Sequence, residues 1–243
     1  MKRGRNMELY SVIKKDHEYW LVDQVKQEEV ANTRYVQKFE NLLEEWRESH
    51  CKYLSLLMDQ KNEAWLLGQG FHKVSSIVEY TCLLNSDFKG EAGIEIESLS
   101  QSGMDDADFA KLYERCRSGS ANKNNLFTMK QIMESLENEL GNNWRSNCNI
   151  FKKDGQPIGI SIPVIENGTD DEGRLFYFGV VPEKRGKGFG TTFHRLSLGL
   201  LKNMNATYYV GSTDENNVHM FHIFERNGCE LRDKKGIYRI NQE

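Results

Sequence analysis

The strongest constraint on the fold is a glycine-rich, basic loop between a strand-like segment and a helix-like segment. Apolar residues from Leu175 to Val181 predict a strand, and the pattern from Thr191 to Asn203 predicts a helix. The residues between them, at 182–190, read Pro-Glu-Lys-Arg-Gly-Lys-Gly-Phe-Gly. Glycines let a ligand approach the backbone, and the first N–H groups of a helix point outward at the positive end of its dipole. The loop therefore predicts an anion site suited to a pyrophosphate.

The spacing of the loop excludes two common phosphate-binding motifs. A Walker loop requires Gly-x-x-x-x-Gly-Lys-Ser/Thr, and a dinucleotide fingerprint requires Gly-x-Gly-x-x-Gly. This chain instead has Arg185-x-x-Gly188-x-Gly190 after a Val-x-Pro-Glu strand end. About thirty residues downstream it has Asn217-x-x-Met220-x-x-x-Phe224-Glu225-x-x-Gly228-Cys229. In this order, the two motifs resemble the acetyl-CoA pyrophosphate loop and the following helix of the GNAT N-acetyltransferase superfamily.

This resemblance implies both a fold and an activity. The fold is α/β, with a mixed, largely antiparallel central sheet flanked by helices and a smaller α/β N-terminal half. The activity is transfer of the acetyl group of acetyl-CoA, as cosubstrate, to a primary amine of a small molecule or a peptide, without a metal. The alternative is a CoA-binding regulatory or scaffold protein with little or no turnover. Phe224, where the family often has tyrosine, and a first half without a glycine loop motivate that alternative.

The resemblance also assigns cofactor-binding residues. Val180 and Val181 would pair with the pantetheine arm like an added strand, and the Val180 N–H would polarise the thioester carbonyl. Asn217 would contact the pantetheine amide or cap its helix. The full expected set is Val180, Val181, Arg185, Gly186, Lys187, Gly188, Phe189, Gly190, Thr191, Asn217 and Phe224.

No catalytic acid or base can be assigned from the sequence. Phe224 cannot donate a proton, so the family's tyrosine does not carry over. A water relay remains open for both roles, and His194 is expected to be structural. The candidate acids are His222, His219, Ser212 and Cys229, and the candidate bases are Tyr177, Glu172, Glu183 and Asp214.

Composition narrows the class of protein. The 243 residues carry a net charge of −4, so the chain lacks the basic surplus of a nucleic-acid binder. Its 5 cysteines contain no Cys-x-x-Cys pair, which argues against a disulfide framework or a zinc site and fits a reducing compartment. The basic start, Met1 to Arg5, precedes no apolar stretch of a signal peptide, and no run is long enough to span a membrane. We therefore expect a cytoplasmic protein without membrane or nucleic-acid partners; a homodimer stays open.

The second half of the chain follows the element order of a GNAT domain. The predicted elements are a strand from Ile94 to Leu99, a helix capped by Asp105 or Asp106, a helix from a Thr128 capping box to Gly141, a hairpin from Asn149 to Ile165 turning at Asp154-Gly155, a solvated acidic turn from Glu166 to Gly173, the strand, loop and helix above, a strand from Thr207 to Gly211, a helix from Asn217 to Arg226 and a strand from Ile237 to Ile240.

The first half echoes the second. Cys51 to Asn62 aligns with Ala206 to Asn217, since each has an apolar, tyrosine-bearing strand ending in Asp-x-x-Asn. Upstream, Tyr19 to Val25 predicts a strand and Tyr35 to Trp46 a helix. We therefore divide the chain into 1–92, a truncated GNAT-like or helical accessory domain without a CoA loop, and 93–243, the catalytic domain. The junction is placed at Ser86 to Gly93, and the segments expected to bind the acceptor are Arg117 to Phe127 and Glu166 to Gly173.

Overall fold

The computed structural model describes residues 9–25, 30–88, 92–121 and 128–242. The first half contains β1 (Tyr10–Lys15), β2 (Tyr19–Gln24), α1 (Asn32–Glu48), β3 (Tyr53–Asp59), α2 (Glu63–Gly68) and β4 (His72–Leu83). The second half contains β5 (Ile94–Ser98), α3 (Asp106–Arg117), α4 (Met129–Leu140), α5 (Trp144–Asn147), β6 (Asn149–Lys153), β7 (Gln156–Ile165), β8 (Glu172–Val180), α6 (Phe189–Asn203), β9 (Tyr208–Asp214), α7 (Val218–Arg226) and β10 (Glu230–Asn241).

These elements form two compact units whose limits differ from the predicted division at residue 92. Unit 1 is Met1–Val78 with Asp233–Glu243, and unit 2 is Glu79–Arg232. The chain therefore leaves unit 1 within β4 and returns to it within β10. Part of the predicted junction, residues 89–91, lies outside the described residues.

Unit 1 has a core between α1 and its strands. One face of α1 is buried through Tyr35, Phe39, Leu43 and Trp46, at the spacing of a helical stripe. In unit 1, β2 lies between β1, which is antiparallel to it, and β3, which is parallel to it. β10 runs antiparallel to β3, from the pair Lys235↔Asp59 to the pair Asn241↔Tyr53. Neither β1 nor β4 was predicted from the sequence.

Unit 2 has the strand order β4-β9-β8-β7-β6-β5. The pairs β5/β6, β6/β7 and β7/β8 are antiparallel, and β8/β9 is parallel. The predicted hairpin turns at Asp154 and Gly155, which both have positive φ (52° and 71°), the property of a type I′ turn. The fold is therefore mixed α/β with a largely antiparallel sheet, as the sequence predicts.

Helix boundaries in unit 2 follow local capping chemistry. The Asp105 carboxylate accepts the Asp108 N–H at 2.8 Å and starts α3. Thr128 and Gln131 form the predicted capping box at the start of α4, and Gly141, with φ of 69°, ends it. α6 begins at Phe189, two residues earlier than predicted, because Gly188 in the left-handed conformation is its N-cap. No helix in the described part of the chain is long and apolar enough to cross a membrane.

The two halves of the chain contain the same succession of elements. Repeat 1 is β1-β2-α1-β3-α2-β4, and repeat 2 is β7-β8-α6-β9-α7-β10. The aligned Asn62 and Asn217 stand in the N-cap positions of α2 and α7, and β4 and β10 each have 12 residues. Within unit 1 the strand beside β3 is β10, and within unit 2 the strand beside β9 is β4. The two repeats have therefore exchanged their last strands.

Candidate functional site

The candidate site begins where two parallel strands separate. β8 and β9 pair only at Glu172↔Tyr208 and Gly173↔Tyr209, although the strands have 9 and 7 residues. The equivalent strands of repeat 1, β2 and β3, stay paired over five positions, from Tyr19↔Tyr53 to Asp23↔Leu57. Unit 2 thus has an opening between β8 and β9 where repeat 1 has a closed pair.

Backbone groups of β8 are directed into this opening. The Val181 N–H donates to the Ile158 carbonyl on β7 at 3.0 Å. Because backbone groups alternate in direction along a strand, those of Val180 point away from β7 and toward β9. The Val180 carbonyl accepts a hydrogen bond from Arg185 Nε at 3.0 Å, which agrees with that direction. The Val180 N–H is therefore placed to meet a group lying in the opening.

The loop that follows β8 presents its backbone N–H groups. Among the described turn, loop and cap hydrogen bonds, no backbone carbonyl accepts from the N–H groups of 186–190, whereas the Thr191 N–H bonds to the Gly188 carbonyl at 3.1 Å. Gly186 and Gly188 have φ of 72° and 86°, in the left-handed region that side chains disfavour. A Cβ at either position would meet no atom within 4 Å, so space is left above the loop. Glycine-rich backbone of this kind at the start of a long helix is suited to bind an anion.

Comparisons with known proteins identify this architecture. No family model matches the sequence, and no curated protein matches it. Solved structures do match: a GCN5-related N-acetyltransferase from Sphaerobacter thermophilus has a TM-score of 0.67 at 13% identity, covering 96% of this chain and 76% of that one. A tandem GNAT protein from the clavulanic acid biosynthesis pathway has a TM-score of 0.63 at 14% identity, covering 98% and 81%. A GNAT-family acetyltransferase from Colwellia psychrerythraea has 0.60 at 13% identity, covering 97% and 81%.

The chain has the GNAT fold. The fold was predicted from the end of a strand and from the motif Arg185-x-x-Gly188-x-Gly190. In the structure, the opening between β8 and β9 lies at that strand end, and the motif forms the loop before α6. The remaining predicted residues can now be located within this GNAT fold.

Arg185 organises the loop through its side chain. Besides the Val180 carbonyl, its guanidinium donates to the carbonyls of Cys116 at 2.9 Å and Gly119 at 3.3 Å, at the C-terminal end of α3. These carbonyls lie at the negative end of the α3 dipole, which favours a cation. Lys187 Nζ donates to the Glu183 carbonyl at 3.1 Å. Both cations therefore hold backbone in place and keep positive charge near the glycine loop.

The third loop glycine and the first helical residues have packing roles. A Cβ at Gly190 would lie 2.9 Å from Ile223 Cδ1, so this glycine lets α6 approach α7. Phe189 begins α6 and its ring lies 5.7 Å from that of Phe193. The Thr191 carbonyl accepts a hydrogen bond from Asn227 Nδ2 at 3.0 Å.

Asn217 is a helix cap in this structure. Its side-chain oxygen accepts the Met220 N–H at 3.3 Å, and its Nδ2 donates to Thr213 Oγ1 at 3.0 Å. Of the two roles that the sequence left open, the structure displays the cap at the start of α7.

Phe224 lies in the core of unit 2. Its exposed fraction is 1%, and its ring stacks on that of Tyr80 at 4.9 Å with an interplanar angle of 27°. His194 and Tyr209 complete its aromatic surroundings. Tyr80 was not predicted from the sequence, although a signal exists: Tyr80 follows Gly70 by the same ten residues that separate Tyr238 from Gly228.

The candidate acids occupy different surroundings. His219 and His222 are exposed, and His222 Nδ1 lies 3.7 Å from Glu225. The Ser212 hydroxyl donates to Glu79 Oε1 at 3.3 Å. Cys229 is buried and contacts a second cysteine. Among the described hydrogen bonds and ion pairs, none joins one of these four groups to another.

The candidate bases are largely held in protein contacts. The Tyr177 ring stacks on Tyr113 at 4.1 Å, and burial raises the pKa of its hydroxyl. Exposed Glu183 forms an ion pair with Arg115, and Asp214 accepts the Asn216 N–H at 2.9 Å.

The prediction of a solvated acidic turn is wrong for Glu172. This carboxylate is buried at the start of β8, where it accepts from Arg174 Nε at 2.7 Å and from the Tyr208 hydroxyl at 2.9 Å. Its burial follows from strand pairing, since Glu172 lies opposite Tyr208 in the β8/β9 pair. Of the other predicted acceptor segment, residues 122–127 lie outside the described residues.

His194 is enclosed within unit 2, as the sequence predicts for a structural residue. Its Nδ1 lies 3.0 Å from Asn227 Nδ2, and burial lowers its pKa to about 3. No group of three or more His, Cys, Asp or Glu side chains within the described ranges is placed to hold a metal ion.

Proposed function

We propose that this protein is an N-acetyltransferase that moves the acetyl group of acetyl-CoA to a primary amine of a small molecule or a peptide. The observation that carries the proposal is the opening between β8 and β9, which leads directly into the glycine loop at the start of α6. Taken alone, the opening or the glycine loop could serve only the packing of the fold. Together they would form one continuous binding surface for a ligand with an extended arm and a polyanionic end.

Each part of acetyl-CoA has a matching surface. The pyrophosphate would accept hydrogen bonds from the N–H groups of 186–190, with the α6 dipole and Lys187 adding positive potential. The pantetheine arm would pair with the backbone of Val180 as an additional strand. This accounts for a strand that ends without a full partner in unit 2.

The chemistry needs a polarised thioester and two proton transfers. The acceptor amine attacks the thioester carbonyl carbon, and the Val180 N–H, directed into the opening, would stabilise the developing oxyanion. Collapse of the tetrahedral intermediate breaks the C–S bond and releases the CoA thiolate. The amine proton leaves to a base and the thiolate is protonated, with water as the carrier in our proposal because the candidate bases Glu172 and Tyr177 are held in buried contacts.

Repeat 1 would be a truncated GNAT-like half that binds no cofactor. Its β2/β3 pair is closed, and its connection from β2 to α1 lacks the glycine loop. We therefore assign turnover to repeat 2 and the elements that precede it in unit 2.

Calorimetry with acetyl-CoA tests the binding half of this proposal. Gly188→Glu places a side chain and a negative charge in the free space above the loop, at a residue with φ of 86°. We expect the affinity to fall at least about tenfold, since charge-assisted hydrogen bonds worth ~1.5–3 kcal/mol are lost. Gly168→Glu is a matched control, because Gly168 also has φ of 86° and free space, but lies between β7 and β8. Equal affinities for the two variants would refute the pyrophosphate assignment.

Release of free thiol from acetyl-CoA tests turnover. An amine-dependent release, measured over a panel of small amines and peptides and absent in Gly188→Glu, would support the transferase. Acetyl-CoA binding without release for any amine in the panel would instead indicate a CoA-binding protein.

A further inference from the structure

Two cysteines from opposite ends of unit 2 in the sequence lie side by side. Cys82, in β4, and Cys229, between α7 and β10, have their sulfur atoms 3.3 Å apart. The positions of both are defined by neighbouring backbone contacts. The Cys229 N–H donates to the Phe224 carbonyl at 2.9 Å, and the hydroxyl of Thr81, next to Cys82, donates to the Tyr209 carbonyl at 2.8 Å.

The internal repeat shows that packing alone does not require thiols here. β4 and β10 have equal length, so Cys82 corresponds to Ile240. Cys229 corresponds to Phe71, since both follow the glycine that ends the preceding helix segment. In unit 1, Phe71 and Ile240 belong to one apolar core. In unit 1 these two positions are filled by apolar side chains. In unit 2 the equivalent positions are filled by two thiols in contact with each other.

The two thiols differ in exposure and in ionisation. Cys82 is partly exposed, whereas Cys229 is 4% exposed. A hydrogen bond from Cys229 lowers the pKa of Cys82, and the same contact together with burial raises the pKa of Cys229. Cys116 and Cys148, by contrast, are buried thiols whose pKa values burial raises to about 12. Cys82 is thus suited to react first and Cys229 to resolve the product.

We propose that Cys82 and Cys229 form a reversible disulfide when the protein encounters a hydroperoxide. The Cys82 thiolate attacks the terminal peroxide oxygen, the O–O bond breaks, and Cys82 becomes a sulfenic acid as water or an alcohol is released. Cys229 then attacks the Cys82 sulfur, the S–O bond breaks, and water leaves with the Cys229 proton. Two thiols are oxidised to one disulfide and one hydroperoxide is reduced.

The small separation makes this bond accessible without unfolding. A disulfide has a sulfur–sulfur distance of ~2.05 Å, so a modest side-chain rotation from 3.3 Å would close it. The bond would tie β4, the exchanged strand, to the end of α7 within unit 2. It would also close a loop of more than a hundred residues in the unfolded chain, which stabilises the folded state.

Peptide mapping of the full chain tests the proposal directly. The folded protein is treated with hydrogen peroxide, blocked with an alkylating reagent and digested without reduction. We expect a linked peptide pair containing Cys82 and Cys229, which dithiothreitol separates. Cys82→Ser and Cys229→Ser should each abolish that pair, and Cys51→Ser, at a buried free cysteine of unit 1, should leave it unchanged. Oxidation that yields only sulfinic acid or links other cysteines would overturn the proposal.

A second test uses only the wild-type protein, so it does not depend on whether the cysteine variants fold. It compares the melting temperature (Tm) of the oxidised and reduced forms. Oxidised wild-type protein should melt about 5 °C or more above the reduced protein, and dithiothreitol should reverse the shift. If Cys82 and Cys229 were fully linked but the Tm were not higher than that of the reduced protein, the disulfide would not stabilise the contact between β4 and α7 as we propose. Neither readout depends on acetyl-CoA binding, so failure here would leave the proposed transferase function untouched.

Discussion

At the residue scale, the glycines of the loop have separate physical roles. Gly186 and Gly188 supply a left-handed backbone and free space, whereas Gly190 supplies close contact with Ile223. A motif that looks uniform in sequence therefore combines open space above the backbone with close helix packing.

Phe224→Tyr should destabilise the protein by ~1–3 kcal/mol, because the added hydroxyl would be buried among aromatic rings without a partner. Urea unfolding of the two proteins measures the difference, and we expect turnover to fall as well. Phe221→Tyr is the matched control: Phe221 also lies against Tyr80, at 5.8 Å, but is only partly buried. Unchanged stability of Phe224→Tyr would show that this ring edge reaches water or the opening.

His194 should make the protein acid-sensitive. Its pKa is about 3 when folded and about 6.5 when unfolded, so the unfolded chain binds the extra proton between these values. This contribution to stability is fully present above pH 6.5 and is lost as the pH falls toward 3. Between pH 7.5 and 5.5 the free energy of unfolding should drop by ~1.4 kcal/mol through this residue.

Urea unfolding at both pH values measures this drop. His194→Gln should show a drop smaller by that amount, whereas His219→Gln, at an exposed position, should match the wild type. Equal pH dependence of His194→Gln and wild type would contradict a buried neutral histidine.

At the element scale, the two repeats differ in how far their equivalent parallel strands pair with each other. β2 and β3 satisfy each other's backbone groups over five positions, whereas β8 and β9 do so over two. A closed pair has no free backbone edge to offer to an added strand.

Each chain should therefore bind one acetyl-CoA. Calorimetric titration should give a stoichiometry near one, and Gly188→Glu should remove the whole signal rather than half of it. A value near two, or residual tight binding in Gly188→Glu, would require a second site that the closed β2/β3 pair does not provide.

At the scale of the whole molecule, the exchange of β4 and β10 decides which part of the chain can stand alone. Unit 2 takes Tyr80 from β4 into its core against Phe224. Unit 1 takes Tyr238 from β10, and the Tyr238 hydroxyl donates a hydrogen bond to Glu63 at 3.0 Å. Sequence-contiguous halves would each lack the strand that completes their sheet.

A fragment spanning 93–243 should therefore unfold with low cooperativity or aggregate, because it lacks β4 and Tyr80. A fragment spanning 79–232, which retains β4 residues from Glu79 onward, should unfold cooperatively. Thermal and urea unfolding, with acetyl-CoA titration of each fragment, compare the two. A fully stable and active 93–243 fragment would show that β4 is dispensable to unit 2.

The sequence by itself determined the order of most elements of unit 2 and the place of the glycine loop. Caps such as Thr128 and Asp105, the Asp154-Gly155 turn and the left-handed glycines act through neighbours a few residues away, so local chemistry encodes them. The resemblance of two motifs then indicated the fold that the structure displays. The expected cofactor residues follow from that resemblance and stay proposals.

Only the tertiary structure decided which strand lies beside β3 and which beside β9. The two repeats offer similar strand edges to two last strands of equal length, and local sequence patterns cannot distinguish between such partners. Local sequence patterns also could not predict three further features: the burial of Glu172, the stacking of Tyr80 on Phe224 and the contact between Cys82 and Cys229. Each of these depends on a contact between residues far apart in the chain. Their surroundings are set by the packing of the whole unit, and no window of sequence contains both partners.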